Sequence, residues 1–262
     1  MPPGWRLHRF ETLGSTNDEA RRLAHGGEEE VSVVWSLAQT GGRGRRGRVW
    51  ESAPGNLYCS VLLRPEMPLG RMALCSFLAA VALVDAVRGM GPALDVRCKW
   101  PNDVLCGGRK IAGILLEAGE GAGEGGGTRA PWLVLGMGVN IAHAPEIPGL
   151  LYPAGCLREM GCDVPAGELL AALCARLDDW IGRWRNEGFA PVREAWLERA
   201  AGVGAEIRVR LERETVTGVF SGLDEDGALL LRLADGERKR VLAGDVFFAA
   251  SLTSGAAPER RG

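Results

Sequence analysis

Residues 99–113 read KWPNDVLCGGRKIAG. Apolar residues flank two turn signals, Pro101-Asn102-Asp103 and Gly107-Gly108. The segment therefore predicts hairpin structure, with strands over VRCKW (96–100), a short stretch near 104–106 and KIAGILLEA (110–118). Lys99 and Lys110 stand at opposite ends of it, and strands that run back beside each other bring both ammonium groups to one neighbourhood. Asp103 adds a carboxylate that can hold a metal ion or orient an incoming amine. The chain has only three lysines against 28 arginines. Two clustered lysines in so arginine-rich a sequence point to a need for a compact ammonium with freely rotating donors. The bland alternative, good turns carrying surface lysines, fits that scarcity poorly.

Upstream, between predicted strands VSVVWSLAQ (31–39) and NLYCSVLLRP (56–65), lies GGRGRRGRVW (41–50), with arginines at 43, 45, 46 and 48. Glycines let successive N–H groups wrap an anion, and arginines add bidentate contacts to phosphate oxygens. An RNA-binding tract of RGG type is the alternative, but such tracts are repetitive and terminal. This one is a single copy between apolar strands. Trp50, at its end, suits stacking on a ring as well as a place in the core.

Ser15-Thr16-Asn17 opens a helix predicted over 15–25, where Thr16 and Glu19 form a capping-box pattern. The same three side chains, and Gln39, also offer donors and acceptors to a polar ring. Gly136-Met137-Gly138 lacks the third glycine and the following helix of a dinucleotide fingerprint, which excludes a Rossmann reading. Asn140, just beyond, can serve a ligand or a turn.

The whole chain, 262 residues with net charge -2 and pI near 6.0, is no general polyanion binder. Its seven cysteines are dispersed and never spaced as CxxC, against a zinc site or a disulfide framework and in keeping with a reducing cytoplasm. His8, His25 and His143 show no metal-ligand spacing, and no metal site is expected. The N-terminus has no apolar signal region. The longest apolar stretch, about 72–87, includes Asp85 and is shorter than the roughly 20 residues of a membrane span.

A buried helix is predicted over 70–88, a strand within PWLVLGMGVNI (131–141), and helices over 165–187 and 190–200. GEGAGEGGG (119–127) reads as a mobile hairpin connection. From about Gly202, IRVRL, VTGVFSGLD, ALLLRLAD and KRVLAGDVFF predict a small five-stranded barrel. The expected organisation is an α+β body over 1–201, a barrel over 202–250 and a disordered tail over 251–262.

Taken in order, GSTNDEA, AQTGGRGRRGRVW, APGNLYCSVLLRP, KWPNDVLCGGRKIAGILLE and LVLGMGVNI resemble the bacterial biotin–protein ligase family. The resemblance runs from about residue 10 to the C-terminal strands. It implies a mixed β-sheet backed by helices, of the class II synthetase-like biotin/lipoate ligase type, followed by an SH3-like barrel. It also implies two-step chemistry. Biotin's carboxylate attacks the α-phosphate of ATP with Mg²⁺ assistance, giving biotinyl-5′-AMP, and a lysine of the biotin carboxyl carrier protein then takes the biotinyl group.

By position, the resemblance assigns Ser15, Thr16, Asn17 and Gln39 to the ureido ring, and Arg43, Gly44 and Arg45 to the loop that holds biotin and the adenylate. Lys110 matches the lysine touching both the carboxylate and the α-phosphate. Lys99, Asn140, Arg43, Arg45, Arg48 and Trp50 fall to the nucleotide, while Gly113, Leu115 and Gly138 line the biotin pocket. Arg45, Lys99, Lys110 and Asp103 form the expected catalytic set, with Asp103 positioning the acceptor amine. Biotin and ATP are substrates, with no tightly bound prosthetic group. The carrier is that of acetyl-CoA carboxylase or a related carboxylase.

Some relatives carry an N-terminal winged helix–turn–helix. Here the biotin-site motif begins at Ser15, so a ligase without DNA binding or membrane association is expected. The family also forms homodimers through the sheet face. A lipoate or octanoate ligase is the nearest alternative, but Ser-Thr-Asn with Gln39 suits a ureido ring better than an acyl chain.

Overall fold

The computed structural model describes residues 1–28, 31–65, 67–119, 121–122, 128–129, 131–145 and 153–248. Its first part builds one sheet from β1 (Trp5–Leu13), β2 (Val31–Gln39), β3 (Leu57–Leu63), β4 (Val96–Lys99), β5 (Asp103–Cys106), β6 (Arg109–Ala118) and β9 (Leu133–Val139). Between β6 and β9, β7 (Gly121–Ala122) pairs antiparallel with β8 (Thr128–Arg129). That pairing supplies the hairpin connection expected there. Whether residues 123–127 are mobile, and whether the 251–262 tail is disordered, lies outside the described residues.

The sheet order is β1-β2-β3-β9-β6-β5-β4. Strands β1 and β2 run parallel and the other pairs antiparallel, so the sheet is mixed, as expected. Strand β1 is absent from the sequence-based expectation. It is an edge strand with Arg6, Arg9 and Glu11 exposed, and charges of that kind, which discourage edge pairing, also hide the alternation that marks a strand.

Successive residues of a strand face opposite sides, and the core divides accordingly. Val34, Leu62 and Val134 pack with Ala20, Leu23 and Ala24 of α1 (Thr16–His25), whereas Val33, Val61, Leu133 and Leu135 join the main core on the other face. That core contains α2 (Cys75–Met90), α3 (Ala166–Glu187) and α4 (Ala190–Arg199). Helix α2 is apolar almost all round because sheet and helices cover it on nearly every side. With the 3₁₀ turns before it, it is long and apolar enough to cross a membrane by composition alone, but 78 % of its most apolar window is buried in the fold. All seven cysteines are free and buried.

The start of α1 departs from the expected capping box. Ser15 is the N-cap without a side-chain capping bond, and the Thr16 hydroxyl is engaged by Gln39 and Ser60.

The C-terminal strands are β10 (Glu206–Arg210), β11 (Thr215–Leu223), β12 (Leu229–Arg232), β13 (Arg238–Val241) and β14 (Asp245–Phe248). They form an antiparallel sheet ordered β13-β12-β11-β10-β14. The run KRVLAGDVFF supplies two of them. Among the described residues β13 and β14 are the sheet's edges, so the closure expected of a barrel is not seen.

An aromatic seam joins this sheet to the body. Trp196 of α4 meets Phe77 and Phe220 edge-on, with centroids 5.4 and 6.4 Å away. Trp100 Nε1 donates to the Gly227 carbonyl at 3.1 Å. Gly227 has φ of +74°, and a Cβ there would lie 2.7 Å from Phe77 and 3.0 Å from Leu74. Gly227→Ala therefore combines left-handed strain with overpacking and should destabilise the protein by about 3 kcal/mol, read from the urea midpoint. A loss well under ~1 kcal/mol would show that the seam yields readily.

Candidate active site

A cavity of about 410 Å³ opens beside α1, under the 41–50 loop and against the β4–β6 meander. Its floor uses β9, where Gly136 and Gly138 share the α1 face with Val134 by the two-residue period. The meander's three strands match the three stretches expected from the sequence. Gly107 and Gly108, both at positive φ, make a two-residue loop between Cys106 and Arg109. A bulge then adds Ile111, since Val104 pairs with Ala112 and Leu105 with Lys110. Beyond a bulge the alternation reverses, so Lys110 shares a face with Gly113. Its Nζ lies 3.4 Å from where a Gly113 Cβ would stand.

One end of the cavity is lined with neutral polar groups. Gln39 Oε1 accepts from the Thr16 backbone N–H at 2.8 Å and from its hydroxyl at 3.2 Å. Gln39 Nε2 donates to Ser52 Oγ at 2.9 Å. Ser60, buried on β3, has its Oγ 2.7 Å from Thr16 Oγ1 and 2.6 Å from Asn17 Oδ1. Asn17 Nδ2 is buried with no acceptor among the described residues. A Cβ on Gly136 would collide with the Asn17 amide, so only glycine leaves room for it.

The other end is cationic. Asp103 lies between Lys99 Nζ, 3.2 Å from Oδ2, and Lys110 Nζ, 2.6 Å from Oδ1. Burial alone would raise the Asp103 pKa, but Lys110 and then Lys99 outweigh it and hold the carboxyl below its ordinary value. Burial, followed by repulsion from Lys110, draws the Lys99 pKa down against the pull of Asp103. Arg45 Nη1 donates to Asn102 Oδ1 at 2.8 Å, and Asn102 Nδ2 in turn donates to the Ile114 carbonyl at 2.7 Å. No carboxylate ion pair forms with Arg45 among the described residues. Burial depresses its pKa, yet a guanidinium stays charged.

Trp50 lies between the two ends. Gly113 and Gly138 are cross-strand partners. Cβ atoms on them would stand 3.1 and 2.5 Å from the Trp50 indole, so the glycine pair forms the notch in which that ring rests. Lys110 Nζ sits 5.4 Å over the ring, a cation–π arrangement.

Every residue expected at the site lines this one cavity: Ser15, Thr16, Asn17, Gln39, Arg43, Gly44, Arg45, Arg48, Trp50, Lys99, Asp103, Lys110, Gly113, Leu115, Gly138 and Asn140. Several are engaged in ways not anticipated. Asn140 Nδ2 donates to the Gly155 carbonyl at 3.1 Å. Arg48 pairs with Asp245 of β14 at 3.0 Å, and Arg46 and Arg210 reach the same carboxylate. Arg43 is held by Asp18 and Glu117. Asn102, by sequence a turn residue, links Arg45 to β6. Ser60 is absent from the expected set because it lies within an apolar strand, although a serine in a run buried on both faces is itself a signal. Among the described residues no group of three His, Cys, Asp or Glu is placed to hold a metal. Both oxygens of Asp103 are already taken by ammonium groups, so this donor set does not fit a resident Mg²⁺.

The biotin/lipoate A/B protein ligase family matches residues 10–124, and the biotin protein ligase C-terminal domain matches residues 202–249. The chain is 42 % identical over 241 residues to a biotin–[acetyl-CoA-carboxylase] ligase of Paracoccus denitrificans, covering 89 % of this chain and 97 % of that one. Among solved structures it resembles the biotin protein ligase of Aquifex aeolicus in complex with biotin and ATP, with a TM-score of 0.73 and 25 % identity over 92 % of this chain and 97 % of that one. It also resembles the Leishmania major ligase in complex with biotinyl-5-AMP, with a TM-score of 0.61 and 26 % identity over 93 % and 100 % of the two chains.

The Asp103 arrangement carries a stability prediction. Asp103→Asn removes the carboxylate that lies between two ammonium groups and should cost about 3 kcal/mol at pH 7. A carboxyl with a depressed folded pKa stabilises fully above its unfolded value, near 3.9, and loses that contribution as pH falls through its folded value. Urea unfolding from pH 7 down to pH 3 should therefore show a smaller loss of stability on acidification in the variant. An unchanged midpoint at pH 7 would mean that the lysines find other partners.

Proposed function

Because the chain belongs to the biotin–protein ligase family, we infer that it is an ATP-dependent enzyme that activates biotin as biotinyl-5′-AMP and then transfers it to a lysine of a biotin carboxyl carrier protein. The observation that carries this reading is one cavity with neutral polar groups at one end and three cations at the other. Gly136, against Asn17, and Asn140, at the cationic end, are four residues apart along the chain at the end of β9, about 13 Å at the rise of a strand. That span suits a small polar ring carrying a short acid tail.

In this reading Thr16, Asn17, Gln39 and Ser15 take the ureido ring. The buried Asn17 Nδ2 provides a donor for its carbonyl, and Gly113, Gly138 and Leu115 line the path of the tail. A carboxylate and a triphosphate repel each other. Lys110, Lys99 and Arg45, already in place, neutralise the charge that gathers as a carboxylate oxygen bonds to the α-phosphorus and pyrophosphate leaves. Fixed cations need no reorganisation at that moment. Magnesium, in this reading, enters as the counter-ion of the nucleotide, held by phosphates and water.

In the second step the carrier lysine's amine adds to the anhydride carbonyl and AMP departs. Asp103 orients the ammonium pair. Positioning the acceptor amine as well requires that it release one of them. Trp50, Arg48 and Asn140 border the nucleotide. Free buried cysteines support a reducing compartment, the cytoplasm. A homodimer through the sheet is carried over from the family and is tested by sedimentation.

Purified protein with ATP, Mg²⁺ and biotin should release pyrophosphate and label a carrier domain, and lipoate in place of biotin should not support either step. Lys110→Ala should slow pyrophosphate release by ~10²–10³-fold with the urea midpoint retained. Arg45→Gly should instead leave biotin binding near wild type while the adenylate escapes ~10-fold faster, a loss of about 1.4 kcal/mol of retention, measured by filter-trapping the labelled intermediate. Efficient use of lipoate, or no pyrophosphate with either acid, would overturn the assignment.

A further inference from the structure

Arg43 opens the glycine–arginine loop, yet its guanidinium does not turn to the cationic end of the cavity. Nη1 and Nη2 donate to the two oxygens of Asp18 at 2.7 and 2.8 Å, a bidentate fork, and Nη2 also donates to Glu117 Oε1 at 3.3 Å. Arg21 closes the figure. Its Nη2 pairs with Asp18 and its Nε lies 3.4 Å from Glu117 Oε2. Two carboxylates and two guanidinium groups thus alternate in a ring of zero formal charge that spans α1, β6 and the first leg of the loop.

Position separates this arginine from its neighbours. Lys110 Nζ reaches the level of Gly113, and Glu117 lies four residues further along β6, about 13 Å on at strand rise. Arg43 cannot hold Glu117 and also share a phosphate with Lys110. What it does hold is the loop stem. Arg43 forms an isolated antiparallel bridge with Val49, Gly44 N–H donates to the Arg48 carbonyl at 2.7 Å, and Trp50 N–H donates to the Gly42 carbonyl at 3.0 Å. An arginine fastened at this stem fixes where Arg45 and Trp50 stand.

We propose that Asp18 and Glu117 are positioning residues that, by clasping Arg43, keep the 41–50 loop closed over the cavity, and that Arg43 is a fastening of the loop rather than a nucleotide ligand. The consequence for adenylate retention rests on the ligase reading; the fastening itself does not. The side chains of the ring are 24–44 % exposed, and ion pairs so exposed stabilise a whole fold weakly. The loop responds to the same interaction through its open population, where a tenfold change corresponds to about 1.4 kcal/mol. The ring should therefore govern loop opening more than global stability.

The test uses the full chain as Asp18→Asn, Asp18→Glu, Glu117→Gln, Arg43→Met and the double variant Asp18→Asn/Arg43→Met. Tryptic cleavage after Arg45, Arg46 or Arg48 is followed in the native protein without ligands, beside the urea midpoint. Asp18→Asn and Glu117→Gln should each speed cleavage roughly three- to tenfold with little change in midpoint, and Asp18→Glu should recover most of the protection. The double variant should be cleaved no faster than Arg43→Met, because both changes break one clasp. Adenylate dissociation should rise in the same order.

If Asp18 serves only the dipole of α1, its removal lowers the midpoint and adds to the Arg43 change, which overturns the proposal. So does wild-type cleavage in both carboxylate variants, or an Arg43→Met enzyme that fails to form adenylate as completely as Lys110→Ala. Absence of adenylate from the wild type would sink the ligase reading and leave the cleavage result standing.

Discussion

A carboxylate caught between two ammonium groups sets the geometry of this molecule's cavity. Asp103 pairs with Lys99 across the β4–β5 turn and with Lys110 across the β5–β6 bulge. The carboxylate offsets the mutual repulsion of the two ammonium groups that flank it. The cluster keeps a net positive charge after that pairing. It is both held in place and able to receive an anion.

The sheet supplies the distance. Neutral donors and acceptors gather where α1 begins, cations gather at the β4–β5 turn and the start of β6, and glycines on β6 and β9 leave the floor between them low enough for an indole to rest there. Both legs of the arginine loop are fastened to something outside it. The first joins α1 and β6 through Arg43, and the second joins the C-terminal sheet through Arg48 and Asp245. Four arginines in six residues, which look equivalent in the sequence, therefore differ sharply in what they touch.

Much of this was legible from residues alone, for reasons that can be stated. Lysine is so scarce here that Lys99 and Lys110 drew notice, and glycines beside arginines marked the loop. The β-strands next to them declared themselves by apolar runs between turns. The rest was hidden for equally physical reasons. Edge strand β1 carries charges where a buried strand would carry valine. Thr16 looked like half of a capping box because capping and ligand binding favour the same small polar side chains. Asp18 and Glu117 are ordinary carboxylates on a helix and a strand, 99 residues apart in sequence, and nothing local marks them as partners. A barrel was expected from the run of short strands at the C-terminal end, yet five antiparallel strands do not by themselves dictate closure.

The burial of all seven thiols has a practical side. Burial pushes the Cys75 and Cys174 thiols up to about 12, and that of Cys59 well above its ordinary value, so little thiolate is exposed to an alkylating reagent at neutral pH. A cysteine introduced at Val49, which is 75 % exposed on the loop, would then be the readily labelled sulfur of the folded chain. A fluorophore or spin label attached there would report on the loop directly, with every natural cysteine left in place.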